Sequence, residues 1–349
     1  MKQLQYPPPR RAWWKRADTF LLLLSALVVL LGVRLYVSDG EPGLLVPGAP
    51  YAETGKAYAD SGKISRREVD AMPTSGEPVR FFMLNTENYF VAGETQRSRY
   101  VNKPKPIAQR EAVADVIASV QPEIVGLVEV GGPLALADLQ QRLAARKLHY
   151  EYSLVLLRGG EDRALALLSM LPIAQNASHA NYGLYGQQKR RMLRGILDVT
   201  LRAPDGRLFR VLGAHLKSRV GEDAAAAESL RQREAQTLAY YIEQKTREYP
   251  NLPIVVFGDW NDNPQDASVR LLEQGVSEAS SLYRLKPRDS RGEEWTLYYR
   301  RGNTFNTFDH IFLNKAMKKR LKQKPVSGVV DIPAARTASD HRAVWCELR

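Results

Sequence analysis

The stretch Pro253-Ile254-Val255-Val256-Phe257-Gly258-Asp259-Trp260-Asn261-Asp262 joins a short apolar run directly to a crowd of polar groups. Its β-branched and aromatic residues predict a strand over Ile254–Phe257 with both faces covered. An Asp or Asn just after a strand is ordinarily turn chemistry, its side chain capping local backbone. Here, however, the same transition recurs along the chain. Val79–Leu84 ends in Asn85, Ile124–Val128 in Glu129, and Leu208–Ala214 in His215. Phe308-Asp309-His310 introduces the run Ile311–Leu313, and Ser339-Asp340-His341 precedes Val344–Leu348. Further strands are expected over Tyr152–Leu157, Ala164–Met170 and Gly195–Leu201, and helices over Ile107–Val120, Leu134–Lys147 and Asp223–Glu248. In the last of these, Ala227, Leu230, Leu238, Tyr241 and Ile242 share an arc of about 120°, so one face is buried. Many strands with few helices between them imply a layered α/β sandwich, not a regular strand–helix alternation.

Strand ends on one edge of a sheet converge, and in open α/β folds that edge carries the site. Convergence would bring the carboxylates of Glu129, Asp259 and Asp340 together, which self-repulsion forbids unless cations sit among them. Oxygen donors without cysteine favour a hard divalent ion, Mg²⁺ ahead of Mn²⁺ or Ca²⁺. Two histidines nearby could serve zinc, but carboxylate and amide groups outnumber them. A magnesium ion beside a base is the equipment for hydrolysing a phosphate ester.

These motifs resemble those of the endonuclease/exonuclease/phosphatase superfamily. The resemblance rests on Leu84-Asn85-Thr86-Glu87-Asn88, Leu127-Val128-Glu129-Val130, Gly213-Ala214-His215-Leu216-Lys217-Ser218, Gly258-Asp259-Trp260-Asn261-Asp262, Thr307-Phe308-Asp309-His310-Ile311 and Ser339-Asp340-His341. They fall in the family's order across Val79–Arg349. Two departures stand out: Val128 where the family usually has Gln, and Trp260 where it usually has Phe. The resemblance implies a four-layer α/β sandwich, two mixed sheets flanked by helices, that hydrolyses phosphoesters with Mg²⁺. It implies Glu129 as principal metal ligand, with Asn85 and Asp340 supporting it. It further implies a His341–Asp309 pair, Asp259 orienting or deprotonating water, Asn261 holding water or a phosphoryl oxygen, and His215 donating to the phosphate. Which of Asp259 and His341 is the base stays open. Arg163 and Lys217 are expected on the substrate.

The rest of the chain bounds where this chemistry operates. Of 349 residues, 50 are Lys or Arg and 38 are Asp or Glu, a formal charge of +12 that favours anionic partners. The single cysteine, Cys346, excludes a disulfide scaffold or a cysteine-based zinc site. Lys2, Arg10, Arg11, Lys15 and Arg16 precede the uncharged run Phe20–Val33, and Leu35, Tyr36 and Val37 extend it if Arg34 snorkels. Eighteen helical residues span ~27 Å, enough for a hydrocarbon core. A transmembrane anchor over residues 20–37 is therefore expected, ahead of a cleaved signal peptide, whose apolar region is about 7–15 residues. The basic N-terminus, residues 1–19, would stay in the cytoplasm and the remainder would be exported, as to a bacterial periplasm.

Residues 38–78 are rich in Gly, Pro, Ala and Ser and read as a linker, with one helical turn near Arg66–Met72. The catalytic domain, residues 79–349, holds 40 Lys or Arg against 30 Asp or Glu. Basic runs at Lys189–Arg194 and Lys315–Lys324 are either solvated faces or grips for nucleic acid or anionic lipid. Nucleic acid is the favoured substrate and a phospholipid or sphingolipid the main competitor, ahead of a small phosphate ester. A binding module that has lost turnover is the rival from another class.

Overall fold

The computed structural model describes residues 64–73, 76–93, 103–159, 161–220, 223–321 and 325–348, with the strands Leu35–Ser38, Glu41–Leu44 and Tyr51–Ala52 ahead of them. The chain forms two units, Met1–Pro47 and Gly48–Arg349. In the first, Leu35–Ser38 pairs antiparallel with Glu41–Leu44, Ser38 opposite Glu41. Residues 20–34 of the expected span lie outside the described residues, whereas its last three, Leu35–Val37, are strand and not helix. Tyr36 and Val37 are good strand formers, and Asp39-Gly40 is a dipeptide that favours hairpins. Among the described residues no helix is long and apolar enough to cross a membrane.

The second unit is built on two mixed sheets. From edge to edge the first runs Ser327–Val329, Val344–Leu348, Val79–Tyr89, Ile124–Val130, Ala164–Ser169, Tyr152–Leu156 and Tyr51–Ala52. The second runs Leu282–Arg284, Asp309–Asn314, Ile254–Asp259, Leu208–His215, Leu197–Arg202 and Ile173–Asn176. The expected strands all form, several running one or more residues further into the polar motif that follows. Three of the four edge strands, Ile173–Asn176, Leu282–Arg284 and Ser327–Val329, were not marked by any apolar run, because they are short.

Alternation along each strand explains the layers. Phe81 and Met83 face the second sheet, while Phe82 and Leu84 face outward onto helices. Those helices are Ile107–Val120 and Pro133–Ala144, which bury Val113, Ile117, Leu136 and Leu139. In the second sheet Val211, Val255 and Phe257 face inward, whereas Leu212, Val256 and Phe312 pack on Leu238, Tyr241 and Ile242 of helix Ala224–Glu248. Strands greasy on both faces are what the continuous apolar runs require. The result is helix, sheet, sheet, helix.

Phe257 sets how closely the sheets approach. Its ring lies 5.4 Å from that of Phe81, and a Cβ added at Gly126 or Gly213 would fall 2.5 or 2.7 Å from it. The two glycines are the socket for this knob.

The end of the expected linker belongs to the packed unit. Helix Arg66–Ala71 is capped by Ser65 and Glu68 in a reciprocal box. Ile64, Val69 and Met72 are buried with Leu208, Tyr249 and Leu252, and Arg66 donates to the carbonyls of Glu248 and Arg247 at 2.8 and 2.9 Å. This segment thus caps the end of the long helix.

The socket makes a stability prediction. Phe257→Ala should destabilise the unit by about 3–5 kcal/mol through the cavity it leaves, and Gly126→Ala by about 1–3 kcal/mol through overpacking. The double substitution should cost less than the sum of the two in denaturant unfolding, because the added methyl enters the vacated space.

Candidate active site

Topology delivers the polar residues to one place. Each sheet contains a parallel pair, Val79–Tyr89 with Ile124–Val130 and Leu208–His215 with Ile254–Asp259. Their carboxyl ends carry Asn85, Glu129, His215 and Asp259. An antiparallel neighbour in each sheet begins where those strands end. Asp309 therefore stands opposite Asp259, and His341 lies three residues before Val344, the partner of Met83. An open cleft of about 700 Å³ lies over this edge.

Bonds between buried side chains cross from one sheet to the other. Asn85 Nδ2 donates to Asp259 Oδ2 at 2.9 Å, and His341 Nδ1 lies 2.7 Å from Asp309 Oδ2. His341 Nε2 is 3.9 Å from Asp259 Oδ2, and His215 Nε2 is 3.7 Å from the same oxygen and 3.8 Å from Glu129 Oε1. The second Asp259 oxygen accepts the Asn261 backbone N–H at 2.8 Å, while Asn261 Nδ2 donates to the carbonyl of Leu216. Asn85, Glu129, Arg163, His215, Asp259 and Asn261 all line the cleft, as do Asp340 and His341. Asp309 sits behind His341. Lys217 does not line the cleft: its ammonium donates to the carbonyls of Ser218 and Val220 in its own loop, and Ser218 and Arg219 take the lining positions.

Local backbone strain is concentrated here. Glu87, Asn88, Glu129 and Asn261 all have positive φ, at 48°, 59°, 64° and 52°. For residues other than glycine this region is disfavoured and persists only where surroundings enforce it. At Glu129 the cause is a bulge, where the register with both neighbouring strands shifts. Thr86 Oγ1 clamps that bulge through the carbonyls of Val128 and Glu129 at 2.9 and 3.1 Å. The bulge turns Glu129 into the cleft, where it accepts the Asn88 N–H at 3.2 Å and lies 3.3 Å from Arg163 Nε. Ser339 Oγ donates to the Asn85 carbonyl and accepts the His341 N–H, fixing the approach of His341.

Crowding pulls the ionisable groups apart. Burial pushes the Asp259 carboxyl up to about 7, the charge of Asp309 adding to the effect. Burial also penalises a charged His341, but the carboxylates of Asp309, Asp259 and Asp340 outweigh it and hold its pKa well above 6.5. His215 goes the other way. Burial, with Arg194 and Arg163 nearby, pushes its pKa well below 6.5 and leaves the ring neutral. His310, the second histidine of its motif, is driven down to about 4 by burial and bonds the Asp262 carbonyl at 3.0 Å, a scaffold contact away from the cleft.

The donor set fits a hard divalent cation. Among the described residues, Asp259, Asp309 and His341 are the trio with ligand atoms within 4.8 Å of one another. The 2.7 Å bond already commits Asp309 Oδ2 and His341 Nδ1 to each other. That leaves Glu129 and Asp340 with the amide oxygens of Asn85 and Asn88. Asn88 Oδ1 is buried without a hydrogen-bond partner beside Glu129, an oxygen lone pair with no other use. Glu87 is a further carboxylate in the cleft, its pKa raised by burial and by Asp340. Lys105, buried, donates to the Glu87 carbonyl at 3.2 Å and offsets part of this negative charge. Nothing in Lys103-Pro104-Lys105-Pro106 marks Lys105 as a site residue, since only tertiary packing brings it to Glu87. Glu87 and Asn88 were visible within the Asn85 motif as neighbours of the expected ligand.

No curated protein matches the sequence. Solved structures share its fold at low identity. The human Nocturnin catalytic domain is 18% identical with a TM-score of 0.55, covering 78% of this chain and 94% of that one. Truncated TDP2 of Caenorhabditis elegans is 16% identical with a TM-score of 0.54, covering 78% and 97%. A Staphylococcus aureus beta toxin variant with bound magnesium ions is 17% identical with a TM-score of 0.54, covering 78% and 100%. Residues 99–341 match the Endonuclease/Exonuclease/phosphatase family, which takes in Glu129, the His215 and Asp259 motifs and the Asp309–His341 pair. The chain belongs to that family of metal-dependent phosphoester hydrolases.

Proposed function

We propose that the chain is an exported, membrane-anchored, Mg²⁺-dependent phosphodiesterase that cleaves nucleic acid. The observation that carries the chemistry is the divergence of neighbouring groups in one cleft. Asp259 is poised near neutrality, His341 is held charged by Asp309, and His215 is held neutral. Pairs pushed apart in this way take separate acid and base duties. Asp259 then removes a proton from the attacking water, its orientation fixed by Asn85 and the Asn261 N–H. The protonated His341 balances charge accumulating on the phosphorus oxygens. Neutral His215 donates an N–H to one of those oxygens. The water oxygen bonds to phosphorus, the ester P–O bond breaks, the leaving oxygen takes up a proton from solvent, and Asp259 releases its proton to solvent to reset the site. Glu129, Asp340 and the amides of Asn85 and Asn88 would hold Mg²⁺, whose charge polarises the phosphoryl oxygens.

Nucleic acid as substrate is supported by the excess of basic residues in 79–349 and by Arg163 and Arg219 in the cleft. Arg219 is tied to Asp262 and Asp266, which fixes its guanidinium at the cleft wall. Anchoring and export are supported by five cations ahead of the apolar run beginning at Phe20. Magnesium bound in the beta toxin relative supports the choice of ion.

Two measurements test this reading. The detergent-solubilised full chain should cleave plasmid DNA or RNA, and chelation should abolish cleavage. His215→Ala and His341→Ala should each lower kcat/KM by about 10²–10³, the usual cost of one transition-state donor. Equal low activity for wild type and His341→Ala would retire the mechanism, and cleavage of sphingomyelin alone would move the substrate to lipid.

The second measurement is pH dependence. The rate should rise with pH as Asp259 ionises near 7 and fall where His341 loses its proton. Stability of the metal-free protein should move oppositely over the lower range. Between pH 3.8 and about 7 folded Asp259 keeps a proton that the unfolded chain has released, so stability falls as pH rises. His341 adds in the same direction above pH 6.5, its contribution being lost as pH rises through its folded pKa. Asp259→Asn should flatten the acidic part of that slope in thermal unfolding.

A further inference from the structure

The isolated ribbon Leu297–Tyr299 with Thr304–Asn306 stands between two clefts. Cross-strand partners are Leu297 with Asn306, Tyr298 with Phe305, and Tyr299 with Thr304. Because side chains alternate, Leu297, Tyr299, Thr304 and Asn306 line the catalytic cleft. Tyr298 and Phe305 line a second cleft of about 660 Å³ on the opposite face, together with Trp295. Asp340 borders both. The ribbon is held at this junction by the Tyr298 N–H on the Asp340 carbonyl at 3.2 Å and by a β-bridge from Leu297 to His341.

The second cleft is aromatic. Tyr298 and Phe305 lie 4.9 Å apart at an interplanar angle of 25°, and Trp295 lies 4.9 Å from Phe305. The polar atoms of these side chains are satisfied within the protein, Trp295 Nε1 by Glu293 and Tyr298 OH by Asn303. One face of Trp295 is covered by the Arg342 guanidinium at 4.1 Å. What remains available is ring surface, and Phe305 is 59% exposed. Exposing that ring has no explanation in the packing. Arg300 and Arg336 also line this cleft, exposed, and neither is in an ion pair among the described residues.

We propose that this second cleft is a stacking subsite for a nucleobase of single-stranded nucleic acid whose scissile phosphate occupies the catalytic cleft. The strand crosses the ribbon near Asp340, its base against Tyr298 and Phe305 and its next phosphate near Arg300 or Arg336. Base stacking on aromatic rings with cations along the backbone is the usual chemistry of single-strand binding. An alkyl chain fits less well, since it would strip water from Arg291, Glu293, Asp331 and Asp340 without replacing their hydrogen bonds. This inference rests on the nuclease reading and adds to it a preference for unpaired strands.

The test compares full-length wild type with Phe305→Ala, Phe305→Tyr and Phe305→Leu on a single-stranded oligonucleotide and on 4-nitrophenyl methyl phosphate, which is too short to reach both clefts. The ratio of the two kcat/KM values should fall about tenfold in Phe305→Ala, through KM for the oligonucleotide, the effect of losing one base stack. Phe305→Tyr should restore it and Phe305→Leu should not, which separates stacking from mere apolar contact. An unchanged ratio in Phe305→Ala, or full rescue by Leu, overturns the subsite. If wild type cleaves the small ester but no nucleic acid, the nuclease reading fails, and anisotropy of a labelled oligo(dT) in chelator decides the subsite alone. Affinity weakened by Phe305→Ala keeps it; absence of binding ends it. Loss of binding to sphingomyelin vesicles in Phe305→Ala, with the oligonucleotide ratio intact, assigns the rings to lipid instead and overturns the proposal.

Discussion

Two hydrogen bonds tie the sheets together at their polar edge, Asn85 to Asp259 and His341 to Asp309. All four residues are buried, so each group has given up water and depends on a partner from the other sheet. Taking a carboxylate out of water is costly, and the cost is met only when geometry and neighbours are right. The site therefore cannot form unless the two sheets are already in register. Phe257 in its glycine socket sets that register some residues away along the same strand. Core packing and catalytic geometry are two ends of one strand, Ile254–Asp259.

Support around the cleft is as specific as the groups that line it. Glu234, fully buried, accepts the backbone N–H groups of Leu193 and Lys217 and so fixes the loop after His215. Asp262 gathers Arg231 at 2.8 Å, Ser268 at 2.7 Å and Arg219 at 3.0 Å, which holds the turn presenting Asn261. Asp262 holds the turn that keeps Asn261 in left-handed backbone, and Thr86 does the same for Glu129 in the other sheet. Strain of this kind keeps Glu129 pointed into the cleft in advance of any ligand, and preorganisation of this sort lowers the cost of reaching the transition state.

Much of this was readable from the chain. Both-face burial demands unbroken apolar runs, and the runs ending in Asn85, Glu129, His215 and Asp259 are strands that carry those residues to one edge. The helix expected over Ile107–Val120 forms with those bounds. The reading was weaker where a residue's use depends on rotamer and neighbours. Lys217 lies two residues after His215 and is cationic, yet its ammonium is spent on two carbonyls of its own loop. Lys105 and Glu87 meet across an intervening stretch with no pattern. Tyr298 and Phe305 look unremarkable in sequence, because only a two-stranded ribbon puts them on the same face.

The sequence by itself determined the layers and the family, since strand burial and the order of polar motifs are local properties written every few residues. It also excluded a disulfide scaffold, because Cys346 has no partner within the chain. Tertiary structure alone decided which histidine is charged. His310 and His341 each follow an aspartate, but one is buried against a backbone carbonyl and the other against carboxylates arriving from distant strands. Charge in a folded chain is set by what comes within a few ångströms, and those neighbours lie dozens of residues away or more.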